Sequence, residues 1–178
     1  MLHADADAVP EGYTRYFGRA TSSSSYGGYG GTDENYKYSF LYPSAWKAEI
    51  VSKTRKAVNG TDASFAGPKK GQQIYSTSFL GPSYARLKED RAGIISDLAL
   101  SDSAIQDALS FADEVKVTDK VKGGQDYVDF DIVTGGEAVY VSVTCDGSRL
   151  YALFCIGGSS APDDEFRLMR DSLVTLPQ

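Results

Sequence analysis

Residues 114–156, EVKVTDKVKGGQDYVDFDIVTGGEAVYVSVTCDGSRLYALFCI, decide the fold of this chain. Their pattern predicts four successive strands, at residues 114–121, 127–133, 138–145 and 149–156. The dipeptide Asp146-Gly147 is a strong hairpin signal, because tight hairpin turns favour residues that tolerate positive φ. Four strands in a row, without helices between them, indicate antiparallel pairing rather than strand–helix–strand units.

The residues before this stretch add more strands. Residues 36–42 alternate tyrosine and phenylalanine with other side chains, the period of two that is typical of a strand, and Pro43 ends the run. Further strands are predicted at residues 48–51, 63–66 and 73–80.

Two helices flank the four-strand stretch. The first is predicted from an N-cap at Ser101 to Ala112, with Ile105, Ala108 and Leu109 on its apolar face. The second follows an N-cap at Ser160, and its apolar side chains are predicted to face the sheet: Phe166, Met169 and Leu173. The sequence therefore predicts an α+β fold, a central, mostly antiparallel sheet flanked by helices.

The N-terminal residues differ in composition from the rest. Residues 22–31 read SSSSYGGYGG, a low-complexity run without apolar periodicity. We therefore expect an irregular leader over residues 1–33 and a folded domain over residues 34–178. Tyr26 and Tyr29 are candidate anchors on a partner, because aromatic side chains often supply contact energy at interfaces.

Composition excludes several classes of function. The net charge of −6 argues against nucleic-acid binding, which needs a basic surface. A single histidine, two cysteines and two methionines are too few for most zinc, copper or haem sites, and a Ser-His-Asp arrangement is not expected. No apolar run is long enough to span a membrane, and residues 1–7 lack a signal-peptide pattern. Either the protein is cytosolic or a targeting peptide has been removed.

The charge is divided unevenly along the chain. Residues 1–96 carry a net charge of +3, whereas residues 97–178 carry −9. A cluster of cations occurs in the first half: Lys53, Arg55, Lys56, Lys69 and Lys70. If its two segments adjoin in the fold, they form a basic patch that is a candidate docking site for an acidic partner.

Two carboxylates and two thiols are the remaining candidates for chemistry. Asp129 and Asp131 share one face of a predicted strand, where either a weak calcium site or an exposed polar face would explain them. Cys145 and Cys155 lie on adjacent strands of the hairpin. A two-residue turn, which pairs Cys145 with Ser148, separates them by seven positions along the strand, and a four-residue turn separates them by five; both distances are too long for a disulfide. We expect two separate thiols in the core, no cofactor and no catalytic residues.

The order of these segments resembles the PsbP family of photosynthetic proteins. The resemblance covers about residues 36–176 and rests on four segments and a helix: YSFLYPSAW at 38–46, DASFAGP at 62–68, ISDL at 95–98, DGSRLY at 146–151, and the helix around Met169 and Ser172. The leader is closer to divergent PsbP-domain proteins than to the photosystem II subunit.

The resemblance implies a noncatalytic protein of the chloroplast thylakoid lumen. It would bind photosystem I, photosystem II or another thylakoid complex peripherally, as an accessory or assembly protein. The photosystem II member, an extrinsic protein of the oxygen-evolving complex, helps to retain calcium and chloride through an N-terminal segment that this leader does not visibly match. Two alternatives remain open: a carboxylate-based hydrolase using Asp129 and Asp131, and a cytosolic module with the related Mog1-like fold.

Overall fold

The computed structural model describes residues 9–19, 36–80, 91–99, 102–146, 149–159 and 164–176. Ten strands lie within these ranges: β1 Tyr13–Gly18, β2 Tyr38–Pro43, β3 Lys47–Ala48, β4 Thr61–Ala66, β5 Gln73–Leu80, β6 Glu114–Lys122, β7 Gln125–Thr134, β8 Glu137–Asp146, β9 Arg149–Ser159 and β10 Val174–Thr175. Four helices accompany them: α1 Lys53–Asn59, α2 Arg91–Ala99, α3 Ser103–Ser110 and α4 Asp164–Asp171. No helix in the described part of the chain is long and apolar enough to cross a membrane.

The strands form two antiparallel sheets. The larger has seven strands in the order β3-β4-β5-β9-β8-β7-β6, and the smaller has the order β1-β2-β10. Every strand pair is antiparallel, as the absence of strand–helix–strand units predicted. The predicted α+β class is confirmed.

Alternating side chains of the large sheet build two cores. On one face, Phe130, Val141 and Phe154 pack with α2 and α3, and the predicted apolar face of α3 packs against them. On the other face, Tyr127, Tyr140 and Leu153 pack with α4 and the small sheet. Phe166, Met169 and Leu173 are buried in this second core, so the predicted orientation of α4 is confirmed.

The prediction of an irregular leader is wrong for residues 13–18. They form β1, which pairs with β2 over its whole length, from Tyr13 opposite Pro43 to Gly18 opposite Tyr38. Gly18 permits this pairing, because a Cβ there would lie 2.1 Å from the Tyr38 ring. Tyr26 and Tyr29 lie outside the described residues, so their role as anchors stays a prediction.

Two local predictions also need correction. Residues 49–51 do not continue β3, because Ser52 caps α1 instead and its hydroxyl accepts a hydrogen bond from the Arg55 amide. Helix α3 is capped by Asp102, whose carboxylate accepts from the amides of Ala104 and Ile105. The predicted cap residues Ser101 and Ser160 lie outside the described residues.

The hairpin of β8 and β9 keeps its two cysteines apart. Asp146 pairs with Arg149, which places Cys145 opposite Leu150, the register considered for a four-residue turn, and not opposite Ser148. Cys155 lies opposite Tyr140, five residues along the strand from Cys145. Because side chains alternate across a strand, the two thiols point into different cores, and both are free and buried. The prediction of separate thiols in the core is confirmed.

Candidate docking surfaces

A cleft of about 550 Å³ lies across the ends of three neighbouring strands in the large sheet. Its floor contains Ile132, Val139 and Ile156, from three neighbouring strands. The loop between β4 and β5 forms one wall with Lys69 and Lys70, and α3 forms the other. The cleft therefore combines an apolar floor with a polar rim, which is the usual composition of a binding site.

Backbone hydrogen bonds hold the β4–β5 loop in place. The Gly67 amide donates to the Gln72 carbonyl over 2.9 Å, and the Gln72 amide donates to the Lys69 carbonyl over 3.1 Å. Gly157 of β9 lets the loop approach closely, because its φ is +91° and a Cβ there would lie 2.8 Å from the Gly71 carbonyl oxygen. The two lysines consequently extend from a fixed backbone.

The rim of the cleft carries exposed charges and an exposed aromatic ring. Neither Lys69 nor Lys70 forms an ion pair within the described residues, although Asp107 and Glu137 also line the cleft. Phe111, at the end of α3, is 70% exposed. A large apolar side chain left in water beside unpaired cations is suited to contact with another molecule.

The other half of the predicted basic patch lies on α1. Lys53 and Lys56 are exposed, and the Arg55 guanidinium lies 5.4 Å from the centroid of the Tyr75 ring. Burial and the neighbouring carboxylate of Asp102, to which its hydroxyl donates, raise the pKa of Tyr75. None of the α1 cations lines the cleft. The cleft therefore includes two of the five predicted cations, Lys69 and Lys70, which follow β4 in the chain, whereas α1 precedes β4.

Asp129 and Asp131 belong to a partly buried ion-pair cluster between β7 and α4, in which Asp129 and Arg170 are the buried members. Lys120 Nζ lies 2.6 Å from Asp129 Oδ2, and Arg170 contacts both Asp129 and Asp131. Asp171 completes the cluster, 2.7 Å from Lys120 Nζ and 2.6 Å from Arg170 Nε. Although burial alone would lower the pKa of Arg170, its hydrogen bond to Asp131 and the nearby carboxylates raise it overall, which keeps the guanidinium charged.

This cluster changes the interpretation of both carboxylates. The alternative of an exposed polar strand face is wrong for Asp129, which is 1% exposed. Within the described residues, no group of three or more His, Cys, Asp or Glu side chains could hold a metal ion. Neither carboxylate lines the cleft, where the hydrolase hypothesis would need them. Arg170 was not predicted from the sequence. Its spacing of four residues from Phe166 would have indicated that it lies on the buried face of the helix.

Comparisons with known proteins agree with this architecture. No family model matches the chain. A sequence relative, the chloroplastic thylakoid lumenal 19 kDa protein of Arabidopsis thaliana, is 37% identical over 168 residues, which cover 92% of this chain and 71% of the relative. The solution structure of cyanobacterial PsbP from Synechocystis sp. PCC 6803 superposes with a TM-score of 0.54, covering 95% of both chains at 15% identity.

This chain belongs to the PsbP family. As a PsbP-family protein it resides in the chloroplast thylakoid lumen, so the cytosolic alternative is wrong. Members of the family are generally noncatalytic. For a PsbP-family protein, the cleft and the exposed cations of α1 are therefore candidate binding surfaces rather than candidate active sites.

Proposed function

We propose that this PsbP-family protein is a noncatalytic accessory or assembly protein that binds a photosystem complex through the cleft. The observation that carries the proposal is the pairing of Phe111 with Lys69 and Lys70 on the rim of one rigid cleft. Its location in the lumen brings it to the membrane face where such complexes expose their lumenal subunits.

Each part of the cleft has a distinct role in this proposal. Phe111 is the apolar anchor, because burying an aromatic side chain removes a large apolar area from water. Lys69 and Lys70 steer an acidic surface of the partner and fix its orientation, a role in which exposed charges affect the association rate more than the affinity. The fixed backbone of the β4–β5 loop limits the entropy lost on binding.

Binding to purified, detergent-solubilised photosystem I and photosystem II tests the proposal. We expect Phe111→Ala to weaken binding about tenfold or more, because hot-spot truncations cost about 2 kcal/mol. Lys69→Glu/Lys70→Glu should slow association. The charge-matched control, Lys53→Glu/Lys56→Glu, reverses two exposed lysines outside the cleft and should leave binding unchanged.

Two results would contradict the proposal. The first is the absence of binding to either purified photosystem at low salt. The second is equal weakening by the cleft variant and by its α1 control, since that would show a general charge effect.

A further inference from the structure

The segment between β3 and α1 presents an apolar side chain to solvent. Ile50 is 98% exposed, the highest value among the large apolar side chains that the structure describes. An isoleucine in this position contributes no packing to the domain, because nothing in the described part of the fold covers it. It is therefore available to contact another phase or molecule.

Hydrogen bonds on both sides hold this segment against the domain. Before Ile50, the Glu49 amide donates to the Ser64 carbonyl over 2.8 Å. After it, the Ser52 hydroxyl and carbonyl accept from the amides of Arg55 and Lys56 at the start of α1. Ile50 thus lies at the tip of a short, anchored loop beside the edge strand of the large sheet.

Exposed lysines flank the loop along the chain, and none of them pairs with a carboxylate within the described residues. Lys47, Lys53 and Lys56 are exposed and form no ion pair within the described residues. Glu49 instead accepts hydrogen bonds from the Ser64 hydroxyl, over 2.7 Å, and the Gln73 amide group, over 2.8 Å. Asp62 accepts from the Tyr38 hydroxyl.

We propose that Ile50, Lys47, Lys53 and Lys56 form a contact site for an anionic lipid surface. Ile50 enters the boundary between headgroups and acyl chains, while the three lysines bind the negative headgroups. A single exposed aliphatic side chain with exposed lysines before and after it in the chain suits a lipid surface better than a protein interface, whose buried core holds several apolar side chains and few charges. This site is independent of the cleft and does not rest on photosystem binding.

Cosedimentation with lipid vesicles tests the proposal. One vesicle population contains phosphatidylglycerol mixed with phosphatidylcholine, and the other contains phosphatidylcholine alone. We expect the wild-type chain to bind the first and not the second. Ile50→Ser should weaken binding about tenfold. Lys53→Glu/Lys56→Glu should weaken it by at least about 25-fold, because each charge near an anionic surface contributes about fivefold.

The cleft variant Lys69→Glu/Lys70→Glu is the matched control and should bind vesicles like the wild type. Because Ile50 and both α1 lysines are exposed, these variants should keep the wild-type circular dichroism spectrum. In the Lys53→Glu/Lys56→Glu variant, loss of vesicle binding with retained photosystem binding would agree with both proposals. The two assays are independent, so either proposal can fail while the other stands.

Three results would overturn the lipid site. They are no binding to phosphatidylglycerol vesicles at low salt, binding that Ile50→Ser leaves unchanged, and equal losses in the α1 and cleft variants. Binding of the α1 surface to a purified photosystem but not to vesicles would instead show that its partner is a protein.

Discussion

At the scale of single residues, Tyr38 shows how burial and hydrogen bonds act together on one side chain. It is buried between the two sheets, and its hydroxyl hydrogen-bonds to Asp62 and, over 2.7 Å, to Ser76. The sequence pattern predicted a strand at this tyrosine but not its hydrogen bonds, since Asp62 and Ser76 are 24 and 38 residues away along the chain.

Removing this hydroxyl should destabilise the domain. We expect Tyr38→Phe to lower the free energy of unfolding by about 1–3 kcal/mol, because buried polar partners are left unpaired. Urea denaturation measures the change. Tyr42→Phe is the matched control: the Tyr42 ring stacks on Phe65 at 3.9 Å, and its hydroxyl has no partner within the described residues. Equal effects of the two variants would contradict this account of Tyr38.

Buried tyrosines should also make the domain sensitive to alkali. Burial raises the pKa of Tyr151 to about 12, and burial together with Asp62 raises the pKa of Tyr38 well above its usual value. Because the folded state favours the protonated phenols, their contribution to stability is complete below about pH 10 and is lost as pH rises through the folded pKa values.

Guanidinium denaturation at a series of pH values checks this expectation, with tyrosinate absorbance followed in parallel. Lys122 acts in the opposite direction, since burial lowers its pKa to about 8 and stability from this group rises between pH 8 and its usual pKa. We expect the tyrosines to dominate above about pH 10. A free energy of unfolding that does not fall there would show that the phenols titrate normally.

At the scale of elements, α4 is attached to the sheet by charge as well as by apolar packing. Arg170 is buried on α4 together with Phe166 and Met169. Its guanidinium contacts Asp129 and Asp131 of β7 and also Asp171 of α4. Lys122 adds hydrogen bonds of 2.9 and 2.7 Å to the carbonyls of Asp171 and Leu173 at the end of the helix.

Removing the guanidinium should destabilise this attachment strongly. Arg170→Met leaves Asp131 without its cation and the buried Asp129 with Lys120 alone, and we expect a loss of about 3 kcal/mol in urea denaturation. Arg167→Met removes the same charge from a half-buried position on the same helix and should cost well under half as much. If both variants cost the same, the cluster does not stabilise the fold.

The same cluster should prevent calcium binding at Asp129 and Asp131. Lys120 and Arg170 already lie against these carboxylates, and their positive charges would repel a divalent cation. We expect millimolar calcium to leave the Tm of the wild-type chain unchanged. A rise in Tm that Asp129→Asn/Asp131→Asn abolishes would show that these carboxylates do bind calcium.

At the scale of the whole molecule, the uneven charge of the sequence becomes an arrangement in space. Of the five strands in the basic half, β3, β4 and β5 occupy one end of the large sheet, while β1 and β2 lie in the small sheet. Strands β6, β7, β8 and β9 of the acidic half occupy the other end of the large sheet. The basic segment over residues 47–70 thus lies at one edge, where charge can orient the molecule at a charged surface.

Salt should reveal this orientation. We expect binding of the wild-type chain to a purified photosystem to weaken as ionic strength rises, because screening removes attraction between exposed charges. Lys69→Glu/Lys70→Glu should bind with a much smaller salt dependence. Measuring association rates at several salt concentrations tests this, and equal salt dependence in both proteins would exclude a role for the cleft lysines.

Local patterns in the sequence were sufficient for much of the fold. Residues 73–80 were predicted as a strand with the bounds of β5, and the strands β6, β7, β8 and β9 were predicted to within a few residues. Alternation and the Asp146-Gly147 signal depend on neighbouring residues, so the sequence alone determined these elements and the separation of Cys145 and Cys155.

Tertiary structure alone decided the features that depend on distant contacts. Strand β1 forms because β2 offers it a partner, Asp129 is buried because Arg170 lies across it, and two of the five cations of the predicted basic patch, Lys69 and Lys70, line the cleft. Hydrogen-bond partners and buried charges are chosen by packing between segments far apart in the chain. The sequence therefore determined what the elements are, and the packing of those elements decided which side chains remain available for binding.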